Sequence, residues 1–321
     1  MSHTLILMLL VVGLVLTGFI FLIPATDYSA SSTPLTVEIS HDISVTTISV
    51  MTWNVWFSAD FFAERMKHII DTVLELEPDV ANFQEVLGPF HKMMRENEVL
   101  MEKYEISDPG HSYYVATLTK RSLQPKFSIT TLPTSMGREL LVSSFVIDGE
   151  SIGVGNVHLE SLKNHPLREE QLTASRSALA VHSASVLVGD FNFCSEKNFV
   201  LGSAPLENDS LQSHLAGYID VWPAVHPPPP PVPSQGEKAE DTDARAAHGY
   251  TFDSERNGNL ELKRRREVAR YDRVMLHSSN EAVRPLSIEL IGTDPVANIP
   301  AEEHVFPSDH FGLLAQFTVK N

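Results

Sequence analysis

Apolar and polar residues alternate along the chain with two different periods, one typical of helices and the other typical of strands. Between residues 60 and 76, apolar side chains recur every three or four positions, which predicts an amphipathic helix. A second helix is predicted over residues 166–182. Short apolar runs predict strands at Thr47–Trp53, Val80–Phe83, Phe145–Ile147, Ile152–Val157, Ser185–Val188, Arg273–Leu276 and Leu313–Val319. Together these elements predict a strand-rich α/β domain.

The N-terminus carries an apolar run of a different kind. Leu5 to Ile23 is 19 residues without a charge, in which Thr17 is the one polar side chain, and Pro24 ends the run. At about 1.5 Å per residue, the run spans the hydrocarbon core of a bilayer, roughly 30 Å thick. Residues 1–24 therefore favour an uncleaved single-pass membrane anchor, with a cleaved signal peptide and a buried helix as alternatives. No Lys or Arg precedes Arg65, so the sequence leaves open which side of the membrane the remaining chain faces.

Composition divides the rest of the chain into a tether, a large domain and one insertion. Residues 25–46 are rich in Ser and Thr and are expected to form the tether, and residues 47–321 are expected to form the domain. Within it, residues 227–247 begin with five consecutive prolines and continue as a polar stretch. Proline lacks the amide donor that helices and central strands need, which predicts an extended surface loop. A tolerated insertion and a docking site for a proline-binding module both fit this loop.

Net charge and cysteine content exclude several classes of protein. Lys and Arg number 24 against 41 Asp and Glu, giving a formal charge of -17, which opposes bulk electrostatic binding to duplex DNA or anionic lipid. Contact with a polyanion must be local, through a metal ion or a small basic patch. The basic run at 263–266 is either such a patch or a solvated face. The one cysteine, Cys194, excludes an intramolecular disulfide framework, and no disulfide-linked partner is expected.

Polar side chains that suit catalysis or metal binding adjoin several of the apolar runs. They are Asn54, Gln84, Glu85, His158, Asp190, Asn192, Asp309 and His310. Strand capping explains any one of them, but five such places in one chain indicate a shared site. Mg²⁺ prefers carboxylate and carboxamide oxygens, and Glu85 is the best candidate ligand, supported by Asn54 directly or through water. The sequence has no cysteine cluster for zinc and no Gly-x-Ser-x-Gly elbow for an acyl hydrolase.

The order of six short motifs resembles that of a known family. The motifs are Thr52-Trp53-Asn54, Gln84-Glu85, His158-Leu159-Glu160-Ser161, Gly189-Asp190-Phe191-Asn192, the run around Asp272, and Ser308-Asp309-His310. In this order they resemble the endonuclease/exonuclease/phosphatase superfamily, also called deoxyribonuclease I-like, over residues 48–319. The resemblance implies a four-layer α/β sandwich of two packed mixed β-sheets flanked by helices. It also implies a phosphodiesterase that depends on Mg²⁺, with Mn²⁺ as a substitute.

Longer stretches resemble the branch of this family that cleaves the bond between a tyrosine and a DNA 5′ phosphate. They are His158–Ser161, Tyr250–Asp253 with Asn257–Leu260, Arg270–Arg273, and Phe306–Leu314. The expected partner is therefore a 5′-modified single-stranded DNA end.

The resemblance also implies a role for each candidate residue. The metal ligands would be Glu85, Asn54 and Asp309. Asp190 would take the proton from the attacking water, and Asn192 would position the phosphate. The phosphate contacts would come from His158, Ser161 and His310, with Asn54 also on the phosphate side. Asp272 is expected to orient one of the two histidines by accepting an imidazole N–H.

Three aromatic residues match positions that line the DNA path in that branch, and two other positions near the site depart from its pattern. The aromatic residues are Tyr113, Phe252 and Tyr271, and bases stack on such rings without regard to sequence. Packing in the core or at its rim is the alternative role for each ring. Phe252 stands where the family has Trp, and Cys194 stands where the family has Arg. The second change removes a cation from the phosphate path.

Two other functions remain open. A membrane-tethered phosphatase or phosphodiesterase acting on phosphoinositides or other small phosphoesters would keep the same site, and both the anchor at residues 5–23 and the missing Arg favour it. A binding or scaffold protein that has lost turnover is the second alternative. The presence of all the candidate catalytic residues argues against it.

Overall fold

The computed structural model describes residues 46–108, 114–226, 247–260 and 266–320. The predicted anchor, the Pro-rich loop apart from Ala247, Tyr113 and most of the basic run lie outside these ranges. Thr46, which the sequence assigns to the tether, is the first residue of a strand. Within the described residues, no helix is both long enough and apolar enough to cross a membrane.

Strands and helices alternate along the described chain. The strands are β1 (Thr46–Asn54), β2 (Val80–Val86), β3 (Tyr104–Ile106), β4 (Tyr114–Lys120), β5 (Lys126–Thr131), β6 (Glu139–Ile147), β7 (Glu150–His158), β8 (Ala184–Asp190), β9 (Ile219–Asp220), β10 (Phe252–Asp253), β11 (Val268–Ala269), β12 (Asp272–Ser278), β13 (Val283–Ile291) and β14 (Gly312–Val319). The helices are α1 (Phe62–Leu76), α2 (Gly88–Glu96), α3 (Glu98–Lys103), α4 (His165–Leu179), α5 (Leu211–His214) and α6 (Val221–Val225). Single 3₁₀ turns lie at Arg121–Leu123, Glu207–Ser210 and Ala301–Glu303.

The strands form two six-stranded mixed sheets and a small two-stranded ribbon. The first sheet has the order β13-β14-β1-β2-β4-β3, and the second has the order β5-β6-β7-β8-β12-β9. Apolar side chains from both sheets, such as Val50 and Val188, share one buried cluster, which places the sheets face to face. Helix α1 covers the outside of the first sheet, and α4 covers the outside of the second. This is the four-layer α/β sandwich that the family resemblance predicts.

A polar contact joins the two sheets in the middle of this core. The side-chain amide of Gln84 on β2 donates to Asn156 Oδ1 on β7 at 2.7 Å and to Thr52 Oγ1 at 3.0 Å. Asn156 in turn donates to the carbonyl oxygens of Ala116 and Phe83. Because buried amides are costly without partners, these bonds fix how the sheets face each other. Gln84 therefore lies between the sheets rather than in the site at their edge.

The predicted strands and helices are present, with shifted ends. Helix α1 begins at Phe62 rather than at residue 60, because Phe61 adopts a left-handed backbone conformation with φ of 46°. The sequence pattern missed several strands, among them β4, β5 and β13. The side chains of β5 are largely exposed and those of β13 alternate between buried and exposed, so neither strand shows a continuous apolar run. β4 is buried, but Thr117 and Thr119 interrupt its apolar residues. Pro285 lies where the pairing of β13 with β14 is irregular, as expected for proline in an edge strand.

Strand register explains how distant motifs meet at one edge of the sandwich. In the first sheet β1 and β2 are parallel, with Asn54 paired to Gln84. In the second sheet β7 and β8 are parallel, with His158 paired to Asp190. The antiparallel strand β12 places Asp272 opposite the same Asp190. The carboxyl ends of four strands and the start of β12 therefore surround one region.

Candidate active site

Asp190, the last residue of β8, lies at the centre of this region. Its Oδ2 atom accepts a hydrogen bond from Asn54 Nδ2 at 3.0 Å, and its Oδ1 atom accepts one from the backbone N–H of Asn192 at 2.8 Å. Burial raises the pKa of Asp190, but the positive charge of His310 and these two donors act against burial, and the pKa lies below its ordinary value. Asp190 is therefore ionised at neutral pH, as a proton acceptor must be.

His310 forms a buried pair with Asp272. Nδ1 of His310 lies 2.8 Å from Oδ2 of Asp272, which is fully buried at the start of β12. Burial lowers the pKa of His310, but the Asp272 carboxylate more than compensates and raises the pKa well above its ordinary value. His310 is therefore a cation at neutral pH. Of the two histidines that the sequence left open, Asp272 orients His310.

His158, at the end of β7, is uncharged, unlike His310. Its Nε2 atom lies 3.5 Å from Oδ2 of Asp190, and Arg138 Nη1 lies 3.3 Å from its Nδ1 atom. Burial is the main reason that its pKa falls to about 3, and the Arg138 cation lowers it further. His158 is therefore neutral. Arg138 Nη2 also lies 3.4 Å from its Nε2 atom, so Arg138 contacts both ring nitrogens, and Nε2 faces Asp190 as well.

Arg138 is the site residue that the sequence analysis missed. It precedes β6 and is 6% exposed, and its Nη2 atom donates to Ser161 Oγ at 2.9 Å. It thus brings a cation to the predicted phosphate contacts His158 and Ser161. No apolar run or motif marks position 138, so the signal exists only in the folded chain. Arg138 supplies a positive charge to this site.

Two further carboxylates, Glu85 and Asp309, lie on the first-sheet side of the site. Glu85 occupies an irregularity in the pairing of β2 with β4, and its φ of 62° is rare for a residue with a side chain. Its Oε2 atom accepts from the Phe57 backbone N–H at 3.1 Å. Burial is the main reason that the pKa of Asp309 rises to about 7, and the nearby charge of Glu85 also raises it. Burial likewise raises the pKa of Glu85.

Asn54 and Ser308 connect the two sides of the site. The Asn54 side chain donates to Asp190, and its Oδ1 atom accepts from the Trp56 backbone N–H at 3.1 Å. The Ser308 hydroxyl donates to the Asn54 carbonyl oxygen at 2.6 Å and accepts from the His310 N–H at 3.2 Å. These bonds fix the 308–310 segment against the end of β1. Direct ligation of a metal by Asn54 remains a prediction.

The remaining predicted residues surround this centre. The side chain of Asn192 donates to the Leu159 carbonyl oxygen at 3.0 Å, holding the 158–161 motif against the end of β8. Phe252 packs edge-on against His310 with ring centres 5.1 Å apart, and Tyr271 lies 5.6 Å from Phe252. The Tyr271 hydroxyl donates to Glu267. The two aromatic rings thus form one wall beside His310, while Tyr113 lies outside the described residues.

The arrangement suits hydrolysis of a phosphoester. An ionised carboxylate stands between a neutral and a cationic histidine, a buried arginine adjoins the neutral one, and two carboxylates with raised pKa values lie on the other side. Fixed positive groups offset the charge of a phosphoryl group, while a carboxylate accepts the proton of water.

Comparison with known proteins agrees with this chemistry. The model of the Endonuclease/Exonuclease/phosphatase family matches residues 51–310. The tyrosyl-DNA phosphodiesterase 2 of Xenopus laevis is 28% identical over 309 residues, which cover 93% of this chain and 73% of that protein. The Homo sapiens protein of the same name is 25% identical over 284 residues, covering 84% and 68%.

A solved structure shows the same fold. The crystal structure of D. rerio tyrosyl-DNA phosphodiesterase 2, complexed with a single-strand DNA product, aligns with a TM-score of 0.65 at 24% identity. The alignment covers 85% of this chain and 99% of that one. The chain therefore belongs to the Endonuclease/Exonuclease/phosphatase family, as its motifs predict, and is a hydrolase that acts as a phosphodiesterase.

Proposed function

We propose that the protein is a Mg²⁺-dependent enzyme that hydrolyses the bond between a tyrosine and the 5′ phosphate of DNA, an activity of the DNA-repair type. The observation that carries the proposal is the ionised Asp190 between neutral His158 and cationic His310. The similarity to proteins named tyrosyl-DNA phosphodiesterase 2 supports the choice of substrate.

The donor atoms of the site fit Mg²⁺. Glu85 and Asp309 are held close enough that the charge of Glu85 raises the pKa of Asp309, a repulsion that a bound divalent cation would relieve. Mg²⁺ is usually held by one or two carboxylates and completed by water. Among the described residues no three His, Cys, Asp or Glu side chains form a metal-binding group. The bound ion, or Mn²⁺ in its place, would neutralise charge on the phosphate oxygens.

The chain's own residues account for the proton and the charge. Asp190 accepts a proton from the attacking water, while Asn54 and Asn192 hold the carboxylate in position. His310 and Arg138 would donate to phosphate oxygens from two sides. As the oxygen of water bonds to phosphorus, the bond from phosphorus to the tyrosine oxygen breaks. Tyrosine, with a pKa of about 10, can leave as phenolate without a strong general acid.

The aromatic wall supports a nucleic acid as the rest of the substrate. Phe252 and Tyr271 adjoin His310, so a base next to the scissile phosphate could stack on them. Such stacking contributes about 1–3 kcal/mol per base and tolerates any sequence. A single-stranded 5′ end is thus the preferred form of the substrate. Because the net charge of -17 opposes bulk attraction of DNA, binding depends on these local contacts.

A second candidate substrate is a phosphoinositide or another small phosphoester. Two exposed apolar side chains next to the site favour it, because Phe57 follows the Asn54 segment and Leu162 follows Ser161, and they are 54% and 56% exposed. Such side chains could contact a membrane surface. An alkoxide leaving group, however, needs a proton more than phenolate does, which favours the tyrosyl substrate.

We also propose that residues 5–23 anchor the domain, which begins at Thr46, to a membrane as a single span, with residues 25–45 as tether and residues 227–247 as a surface loop. The uncharged run of 19 residues supports the anchor. Alkaline extraction of membranes from cells expressing the full chain tests it. The chain should remain with the membrane, and its release into the supernatant would contradict the anchor.

Single-turnover cleavage tests the proposed activity. The full chain in detergent is mixed with a 5′-phosphotyrosyl oligonucleotide and, in parallel, with short-chain phosphoinositides, each with Mg²⁺ or EDTA. Tyrosine release that needs Mg²⁺ and is lost in Asp190→Asn is expected. Cleavage of the lipids alone would establish the second candidate. A folded, Mg²⁺-binding chain that cleaves none of these substrates would contradict both activities and favour the binding-protein alternative.

A further inference from the structure

Glu160 carries the one negative charge in the His158–Ser161 motif, and that charge has no part in the proposed reaction. Its side chain is fully buried, and four donors surround its carboxylate. Oε1 accepts from the backbone N–H of Ser135 at 2.9 Å and from the Ser135 hydroxyl. Oε2 accepts from the Thr134 hydroxyl at 2.7 Å and from Gln171 Nε2 at 3.3 Å.

These bonds attach the motif to the loop that carries Arg138. The hydroxyl proton of Thr134 is donated to Glu160, so Thr134 Oγ1 is left as an acceptor. It accepts from the backbone N–H of Met136 at 2.9 Å and from that of Arg138 at 3.1 Å. A continuous path of hydrogen bonds therefore runs from the Glu160 carboxylate through Thr134 to the backbone of Arg138.

Gln171 on α4 holds the same two segments from behind. Its Oε1 atom accepts from the Glu160 backbone N–H at 2.8 Å, and its Nε2 atom donates to the Pro133 carbonyl oxygen at 2.8 Å. Arg168, one turn earlier on the helix, donates to the Glu160 carbonyl oxygen at 2.7 Å. These bonds fix the backbone of Glu160 without involving its carboxylate. The carboxylate can therefore hold the 134–138 loop in place.

We propose that Glu160 is a positioning residue for Arg138: its carboxylate fixes the 134–138 loop so that the guanidinium lies at Ser161 and His158, where a phosphoryl group would bind. The inference rests on the proposed function to the extent that the ligand is a phosphoryl group. It assigns to Glu160 a part in phosphate binding without contact with the phosphate.

The position requires a carboxylate rather than an amide. All four neighbours of the Glu160 oxygens are donors, and an ionised carboxylate is acceptor-only, whereas a glutamine would turn an NH₂ group toward two of them. Burial raises the pKa of Glu160, but the bonds from Ser135 and Thr134 outweigh it and keep the pKa below its ordinary value. The group is thus ionised at neutral pH. Glu160→Gln is the smallest change of side chain that breaks the path.

The test measures binding of inorganic phosphate to the full chain with Mg²⁺ present, by calorimetry, for wild type, Glu160→Gln, Arg138→Ala and the double variant. A charge-assisted bond contributes about 1.5–3 kcal/mol, so Arg138→Ala should weaken binding by about 10- to 100-fold. Glu160→Gln should reproduce much of this loss, and the double variant should bind no more weakly than Arg138→Ala. Full additivity of the two losses, or unchanged binding in Glu160→Gln, would overturn the proposal.

Two further comparisons separate positioning from general damage. Glu150→Gln is the matched control, because Glu150 accepts from Ser183 and Asn280 at the opposite end of β7, and it should bind phosphate like wild type. Thr134→Val breaks the path without touching the carboxylate and should also weaken binding, whereas Thr134→Ser keeps the hydroxyl and should restore it. This pair also decides the question if Glu160→Gln fails to fold. Equal binding by the Thr134 variants would contradict the relay.

Phosphate binding does not depend on turnover, so failure of the proposed function can be distinguished from failure of the role assigned to Glu160. If no phosphodiester is cleaved but the variants follow the expected pattern, the proposed function fails and the role of Glu160 stands. If tyrosyl-DNA is cleaved, the same variants should lower kcat/KM by a similar factor. Cleavage that is unaffected by Glu160→Gln would overturn the proposal and leave the function intact.

Discussion

The Nδ1 atom of His310 lies 2.8 Å from the Oδ2 atom of Asp272, and both side chains are buried at the junction of the two sheets. A buried imidazole by itself favours the neutral form, and Asp272 contributes most to keeping His310 charged, with smaller contributions from Asp309 and Asp190. The register of β12 with β8 also places Asp272 opposite Asp190. One strand pair therefore holds both the proposed proton acceptor and the group that contributes most to the charge of the neighbouring histidine.

Replacing Asp272 with Asn should shift the pH dependence of catalysis. Without the carboxylate, burial lowers the pKa of His310 against only the smaller effects of Asp309 and Asp190, so the cation is lost at a lower pH than in wild type. The alkaline limb of the kcat/KM profile should move to lower pH, and at pH 8 the rate should fall by roughly 100-fold. Single-turnover rates between pH 5.5 and 9 measure this. Asp79→Asn, which alters a carboxylate paired with Lys120, is the control. An unshifted profile would remove the assigned role.

Both the charge and the shape of Arg138 should matter for catalysis. Its two terminal nitrogens contact Ser161 and His158 at the same time, which a lysine ammonium cannot do. We expect Arg138→Lys to lower kcat/KM by about 10-fold and Arg138→Ala by about 100-fold, because charge-assisted bonds contribute about 1.5–3 kcal/mol each. Wild-type kinetics in Arg138→Lys would show that charge alone suffices.

The sequence was informative where chemistry follows an apolar strand. Asn54, His158 and Asp190 end strands, and the family motifs supply their order, so fold and centre could both be predicted. Arg138 could not be predicted, because it precedes β6 instead of following a strand, and it meets the 158–161 motif only in the folded chain. Likewise, the pattern alone could not separate Gln84, which faces the core between the sheets, from its neighbour Glu85, which an irregular strand pairing places in the site.

The Asp309 carboxyl should make the stability of the metal-free protein depend on pH. Its pKa is about 7 in the folded chain, against an ordinary value of 3.8, so between these values the folded state holds a proton that the unfolded state has released. The free energy of unfolding should therefore fall as pH rises through this window, by up to about 1.4 kcal/mol per pH unit. Denaturant unfolding with EDTA measures it.

Two controls isolate the source of this slope. Asp309→Asn should flatten it, because the group no longer titrates. Saturating Mg²⁺ should flatten it too, because the bound cation favours the ionised form. A wild-type slope that neither change alters would assign the effect to other carboxyls.

The guanidinium of Arg65 joins two separate segments, residues 55–60 and Pro307, and we expect its loss to damage the fold more than loss of a surface charge would. It is fully buried on α1 and donates to the carbonyl oxygens of Val55, Trp56, Ser58, Asp60 and Pro307. Burial lowers its pKa to about 10, so it stays charged at neutral pH.

Arg65→Met should therefore leave the buried carbonyl groups of Val55 and Pro307 without this donor and lower the free energy of unfolding by about 3 kcal/mol. Mg²⁺ binding should weaken as well, because the carbonyl of Pro307 precedes the 308–310 segment that contains Asp309. Lys67→Met on the same helix removes an exposed charge paired with Asp71 and should change stability by less than about 0.5 kcal/mol. Denaturant unfolding and Mg²⁺ titration of both variants decide the matter, and equal behaviour of the two would show that Arg65 does not hold the site together.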